Sequence, residues 1–192
     1  MDPFLSELGF GLLLGFSLTI PPGPMNAFIA SQSVRSFREG VTTGLGAMSA
    51  DLLLGGLVFA LHTEVDLTWG LRWIYFLGGA VMVYLGVGLL RAASGRPPPP
   101  TTGARTYSKA LGLGTSNPFQ IVWWLTVGLG SAYLGGWVLF VGLFGAIAVW
   151  IVVFPWVVHA GTERRPGFAR AVLIVSVVAI VAFAGYFLYL AL

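Results

Sequence analysis

The sequence predicts an all-α integral membrane protein of six transmembrane helices. They are arranged as a 3+3 inverted repeat, with helices 1 and 4 broken and both termini outside. Three observations predict it. Of the 192 residues, 57% are hydrophobic and 9% charged, against about 25% charge in an ordinary soluble domain. Six stretches approach the roughly 20 apolar residues that a spanning helix needs. The basic residues fall in alternate loops between those stretches, which is the positive-inside pattern.

A soluble fold of this size has no means of hiding so much apolar surface. The pI near 9.6 therefore reports membrane topology and argues for no nucleic-acid partner. There are no cysteines, which excludes disulfides, thiolate metal sites and thiol-redox chemistry. The opening residues, Met1-Asp2-Pro3-Phe4-Leu5-Ser6-Glu7, contain neither a basic region nor a small-residue cleavage site. The first apolar run thus reads as a retained helix and not as a signal peptide.

The six stretches are residues 8–30, 41–61, 73–90, 110–134, 135–158 and 171–192. The fourth and fifth are separated only by a tight Gly-Gly turn within residues 133–137. Arg35 and Arg38 follow the first helix. Arg91, Arg96, Arg105 and Lys109 follow the third, and Arg164, Arg165 and Arg170 follow the fifth. With six spans all nine lie on one side, leaving Arg72 on the other with Asp2, Glu7, Glu64 and Asp66. The basic side is cytoplasmic, so both termini are expected outside. Trp69, Trp73, Tyr75, Tyr133, Trp137, Tyr186 and Tyr189 gather at the outer ends, as aromatic belts do.

The chain reads as a single transmembrane domain, 1–192, of two three-helix halves, 8–90 and 110–192. They are joined by a cytoplasmic linker, 91–109, in which Pro97 to Pro100 favour an extended spacer. An odd number of helices per half makes any repeat inverted.

Helix 1 is interrupted by Thr19-Ile20-Pro21-Pro22-Gly23-Pro24-Met25-Asn26. Proline lacks the N–H and its ring clashes with the preceding turn, and it pushes its predecessor out of the helical region. A break at membrane depth is tolerated only in protein or beside a watery cavity, and in transporters it commonly builds the substrate site. A plain kink shaping the bundle is the alternative. Helix 4 has its own break early on, at Thr115-Ser116-Asn117-Pro118-Phe119-Gln120. The first helix of each half is thus broken at a Pro with a nearby Asn. From the helix rise both breaks fall nearer the cytoplasmic side, whereas an ideal inverted repeat mirrors them across the midplane.

Asp51 is the charged side chain deep in a span, near the middle of helix 2. A carboxylate there is expensive and seldom faces lipid. Gly44, Gly46, Ala47, Ala50, Gly55 and Gly56 surround it, and small residues let helices come close. It reads as a substrate or proton site, or as a structural hydrogen-bonding group holding the broken helices. Pro22, Gly23, Pro24 and Pro118 keep the backbone open. Asn26, Ser116, Asn117 and Gln120 beside the breaks satisfy freed backbone groups, bind a ligand's carboxylate and ammonium, or do both. Of Trp123 and Trp124, one can line a cavity, though a lipid or core position is the commoner fate. His62 and His159 sit at helix ends and do not resemble metal ligands. Gly11 and Gly15 form a GxxxG pattern that serves close packing or a homodimer. No HExxH, GxSxG or CxxC constellation is present, so no enzyme activity and no cofactor or metal are expected.

Pro22-Gly23-Pro24, then Gly40-x3-Gly44, Gly46 and Asp51, together with Asn117-Pro118 early in helix 4, resemble the LysE/RhtB family of lysine and threonine/homoserine exporters. The resemblance covers the whole chain. It implies a plasma-membrane exporter of amino acids or related metabolites, coupled to the proton motive force, and a superfamily that also holds divalent-cation exporters. The residues themselves suggest a mechanism as a hypothesis. An amino acid enters between the halves, its carboxylate meets N–H groups at a broken helix, and its ammonium meets Asp51 or displaces a proton from it. One deep anion matches one α-ammonium and favours neutral amino acids. A divalent-cation exporter would want several oxygen ligands. A non-transporting scaffold would tolerate loss of the break and of Asp51.

Overall fold

The structure is a computed structural model that describes residues 2–21, 23–61, 76, 80, 83–84, 87, 103–128 and 136–190. The third expected span falls mostly outside the described residues, as do linker residues 91–102, Pro22, His62, Trp69, Trp73, Tyr75 and Tyr133. Among the described residues every regular element is helical: α1 (Pro3–Thr19), α2 (Pro24–Ser33), α3 (Phe37–Leu61), α4 (Ala104–Ser116), α5 (Pro118–Trp123), a π-helical turn (Trp124–Gly128), α6 (Trp137–Arg164) and α7 (Pro166–Leu190).

The punctuation is local chemistry. Asp2 caps α1, its carboxylate accepting from the Phe4 N–H at 3.1 Å with Pro3 at the first helical position, where a missing N–H costs nothing. The helix stops at Thr19, ahead of Pro21, and α2 restarts at Pro24. Pro24 is therefore the start of a helix and not part of the break, and Asn26 is helical. The two pieces meet at 79°. Gly103 opens α4 with φ 59°, a left-handed region that glycine enters freely. Its N–H donates to Glu39 Oε1 at 3.2 Å. Asn117 then interrupts the fourth expected span, with Pro118 at the first position of α5.

By length and apolarity, Phe37–Val58 and Trp137–Arg164 can each cross a membrane, and Pro3–Thr19 with Pro24–Ser33 forms a third span if taken as one bent unit. Outward-facing apolar residues on these spans and on α7 suit lipid: Leu13, Trp156 and Val175 are each more than 60% exposed. Trp137, Tyr186 and Tyr189 are exposed at the start of α6 and the end of α7.

Helix pairing follows the small residues. The main partner of α1 is α6, and the main partner of α3 is α4. On the first seam, a methyl group at Gly11 or Gly15 would run into the carbonyls of Leu139 and Leu143, and one at Gly142 into that of Leu8. The GxxxG face is thus consumed inside the chain and lends nothing to a homodimer. On α3, a Cβ at Gly44 would lie 2.6 Å from the Ile151 Cβ of α6, and one at Gly46 would lie 2.8 Å from the Ala110 Cβ of α4. Two faces of one helix are pared down for two neighbours.

Candidate functional site

Both chain breaks and the middle of α3 converge on one cavity. Gly23, Pro24, Asn26, Asp51, Asn117 and Gln120 line it, with Trp150 of α6 closing one side. Six of the nine expected site residues are therefore brought together. Pro118 is buried behind its own helix start, and Ser116 turns back on α4, its hydroxyl donating to the Gly112 carbonyl at 2.7 Å. Serine in a helix commonly satisfies itself this way. Pro22 lies outside the described residues.

Asp51 is 3% exposed. Its Oδ1 accepts from Gln120 Nε2 at 2.9 Å and from Trp124 Nε1 at 2.9 Å. Neither bond occupies Oδ2. The carboxylate thus ties α3 to α5 and to the π-helical turn. Gln120 is itself held, its Oε1 accepting from Asn117 Nδ2 at 3.2 Å. Asn117 also caps α5, its Oδ1 accepting from the Phe119 N–H at 3.2 Å. The second break is consequently closed on itself: its asparagine spends both ends of its amide on the local structure.

The first break is built differently. Asn26 Nδ2 donates to the carbonyls of Thr19 and, at 3.0 Å, of Pro21, so the amide satisfies backbone freed by the interruption. Its Oδ1 accepts from Trp150 Nε1 at 3.1 Å. No side chain caps α2, which begins at an extended Gly23. The first-turn N–H groups of a helix carry partial positive charge and need partners. Pro24 has no N–H and the Ala27 N–H donates to the Gly23 carbonyl at 2.9 Å, so the donors at this start are those of Met25 and Asn26, which line the cavity together with Asp51. The site offers donors from the start of α2 for an anion and an acceptor at Asp51 for a cation.

Trp124 is fully buried, and two glycines make its slot. A Cβ at Gly55 would lie 2.8 Å from the ring, and one at Gly128 would lie 2.5 Å from it. Gly55 is one turn beyond Asp51 on α3, so the slot and the acceptor share a face. The π-helical turn carrying Trp124 is of a kind often found at functional sites. Gly55→Val is expected to push the indole off Asp51 and to lower the melting temperature, read by thermal unfolding in detergent. Gly56→Val, at a position with open space around it, is the control and should melt with the wild type.

Trp150 was not among the residues expected from sequence. Its signal was available: an indole in mid-span, away from the interfacial belts, carries an N–H that must find an acceptor. Neither Trp123 nor Trp124 lines the cavity; Trp124 reaches it only through its hydrogen bond to Asp51.

The cavity is small, about 50 Å³, which is room for water or a small polar group.

A family model described as LysE type translocator matches residues 16–191. The chain is also 28% identical over 138 residues to a Bacillus subtilis (strain 168) protein described as "Putative amino acid efflux protein YcgF". That match covers 66% of this chain and 62% of the relative, so the chain spans less than two thirds of the relative's length. No solved structure matches the chain.

Proposed function

The chain belongs to the LysE type translocator family, and on that premise we propose that it exports amino acids or related small metabolites across the plasma membrane. The observation that carries this reading is the shared cavity. A buried carboxylate and a helix start without a side-chain cap, contributed by different segments, line one small cavity. That pair of charges is complementary to the zwitterionic head of an α-amino acid. The efflux function in the relative's description supports the same class of cargo.

Asp51 is the coupling residue in this reading. It binds a proton or a substrate ammonium, not both, so loading one releases the other. Gln120 and Trp124 hold the carboxylate in place through either state. The breaks at Pro21–Pro24 and Asn117–Pro118 act as the points about which the halves rock.

The crossed helix pairing supports the 3+3 inverted repeat. The first piece of helix 1, α1, packs on α6 of the other half, and the first piece of helix 4, α4, packs on α3 of the other half. The polar bonds exchange in the same sense. Asn26 and Gln120 each stand two residues after a helix-opening proline. Each meets a side chain of the opposite half, Trp150 and Asp51 respectively. A two-fold axis in the membrane plane produces this reciprocity. The orientation with both termini outside rests on the charge partition of the sequence.

A divalent-cation exporter is less well supported. Such ions take several oxygen ligands, and Asp51 is the carboxylate that lines this cavity.

The test is flux of a panel of labelled amino acids in proteoliposomes under an imposed proton gradient. Saturable, gradient-sensitive flux is expected for at least one neutral amino acid. Movement of divalent cations with no amino-acid flux would overturn the proposal.

A further inference from the structure

We propose that the cargo is an amino acid with a bulky apolar side chain, and that Trp150 is the gate between the chamber for its head and the chamber for its tail. This rests on the amino-acid-export reading.

A second cavity of about 470 Å³ lies against the first, within the range of ordinary ligand pockets. It runs between α2, α6 and α7, past Ala27, Ala30, Phe154, Val172, Val175 and Ala179. Among the described residues that line it none is charged, and its polar side groups are those of Asn26, Trp150 and Ser176. Gly23, Asn26 and Trp150 line both cavities and form the wall between them.

The polar cavity is about 50 Å³ and its apolar neighbour about 470 Å³. A bulky side chain on a bound amino acid finds its room in the larger, adjoining chamber. A charged side chain there would be stranded at membrane depth without a partner, which is heavily disfavoured. An apolar one gains from burial.

The wall is built to open on one side. Asn26 is pinned by two bonds to its own break. Trp150 reaches Asn26 through one hydrogen bond of 3.1 Å and stacks on Phe154 at 5.0 Å with its plane inclined by 7°. Swinging the indole breaks one bond and joins the chambers, while the break itself stays intact.

The chamber is open towards the lipid at Val175 and Val157, so an acyl chain is the competing occupant. The experiment compares counterflow of leucine, phenylalanine, alanine and lysine in proteoliposomes. The wild type is set beside Val175→Trp, which narrows the chamber from an exposed position. Ala171→Phe narrows the same wall a turn earlier, and Val178→Trp, exposed on α7 and outside the chamber, is the control.

Leucine and phenylalanine are expected to exceed lysine at least about tenfold in kcat/KM, in keeping with what apolar pockets discriminate. Narrowing should lower the leucine-to-alanine ratio of kcat/KM about tenfold, and the control should leave that ratio unchanged. Lysine carried as well as leucine would overturn the proposal. So would a ratio that neither narrowing variant changes, which would assign the chamber to lipid; in both cases amino-acid export still stands. Absence of flux for all four amino acids would instead remove the export reading, and this proposal with it.

Discussion

Asp51→Asn is expected to leave the protein folded and to cut gradient-driven transport at least about a hundredfold. An asparagine retains a side-chain carbonyl at the position of Oδ1. It can therefore go on accepting from Gln120 Nε2 and Trp124 Nε1, which both reach that one oxygen. What it loses is the negative charge and the capacity to exchange a proton. Asp51→Leu is a different lesion. It leaves two buried donors without a partner, at about 1–3 kcal/mol each, and should lower the melting temperature as well as transport. The two variants separate a charge role from a structural one. Equal damage from both, in melting as in flux, would make Asp51 a hydrogen-bonding strut and nothing else.

Gly15→Leu is expected to be the most destabilising substitution on the outer helices. The α1–α6 seam is backbone against backbone: Gly15 faces the Leu143 carbonyl, and its Cβ would also come within 2.7 Å of the Ala146 Cβ. A side chain cannot relieve that by rotating, because what it meets is mostly main chain. Overpacking costs typically 1–3 kcal/mol and occasionally more. At about 3 kcal/mol, a protein of this size loses roughly 6–12 °C in melting temperature. Gly9→Leu, on the same helix with nothing within 4 Å, should melt with the wild type. Thermal unfolding in detergent checks both, and equal melting for all three proteins would show that the seam is not tightly packed.

The breaks were legible because proline acts locally. Pro21 and Pro24 bracket the interruption whatever packs around it, and Asn117-Pro118 is a cap followed by a helix-opening proline on sequence alone. Asp51 was legible because a carboxylate in an apolar run has few places to go. Its partners were not. Which of two adjacent tryptophans reaches it depends on the slot cut by Gly55 and Gly128, and those two glycines lie far apart along the chain. Trp150 was hidden in a run that reads as uniformly apolar. Its role appears only when α6 is laid against the first break. Ser116 shows the converse error. It sits beside a break in sequence, yet its hydroxyl is spent on its own helix, so proximity along the chain did not mean proximity to the cavity. Gly11 and Gly15 announced a close helix contact without naming the partner. A glycine pair specifies how near two helices come, and the opposing carbonyls of Leu139 and Leu143 decide which two.

The central claim is that amino-acid movement is coupled to protons at Asp51. The measurement that meets it most directly is accumulation of labelled leucine in proteoliposomes against its own gradient, driven by an imposed pH difference, for the wild type and Asp51→Asn at matched incorporation. The wild type is expected to accumulate leucine and to lose accumulation when the pH difference is collapsed, and Asp51→Asn is expected not to accumulate it at any pH difference. Full accumulation by Asp51→Asn would overturn proton coupling at Asp51.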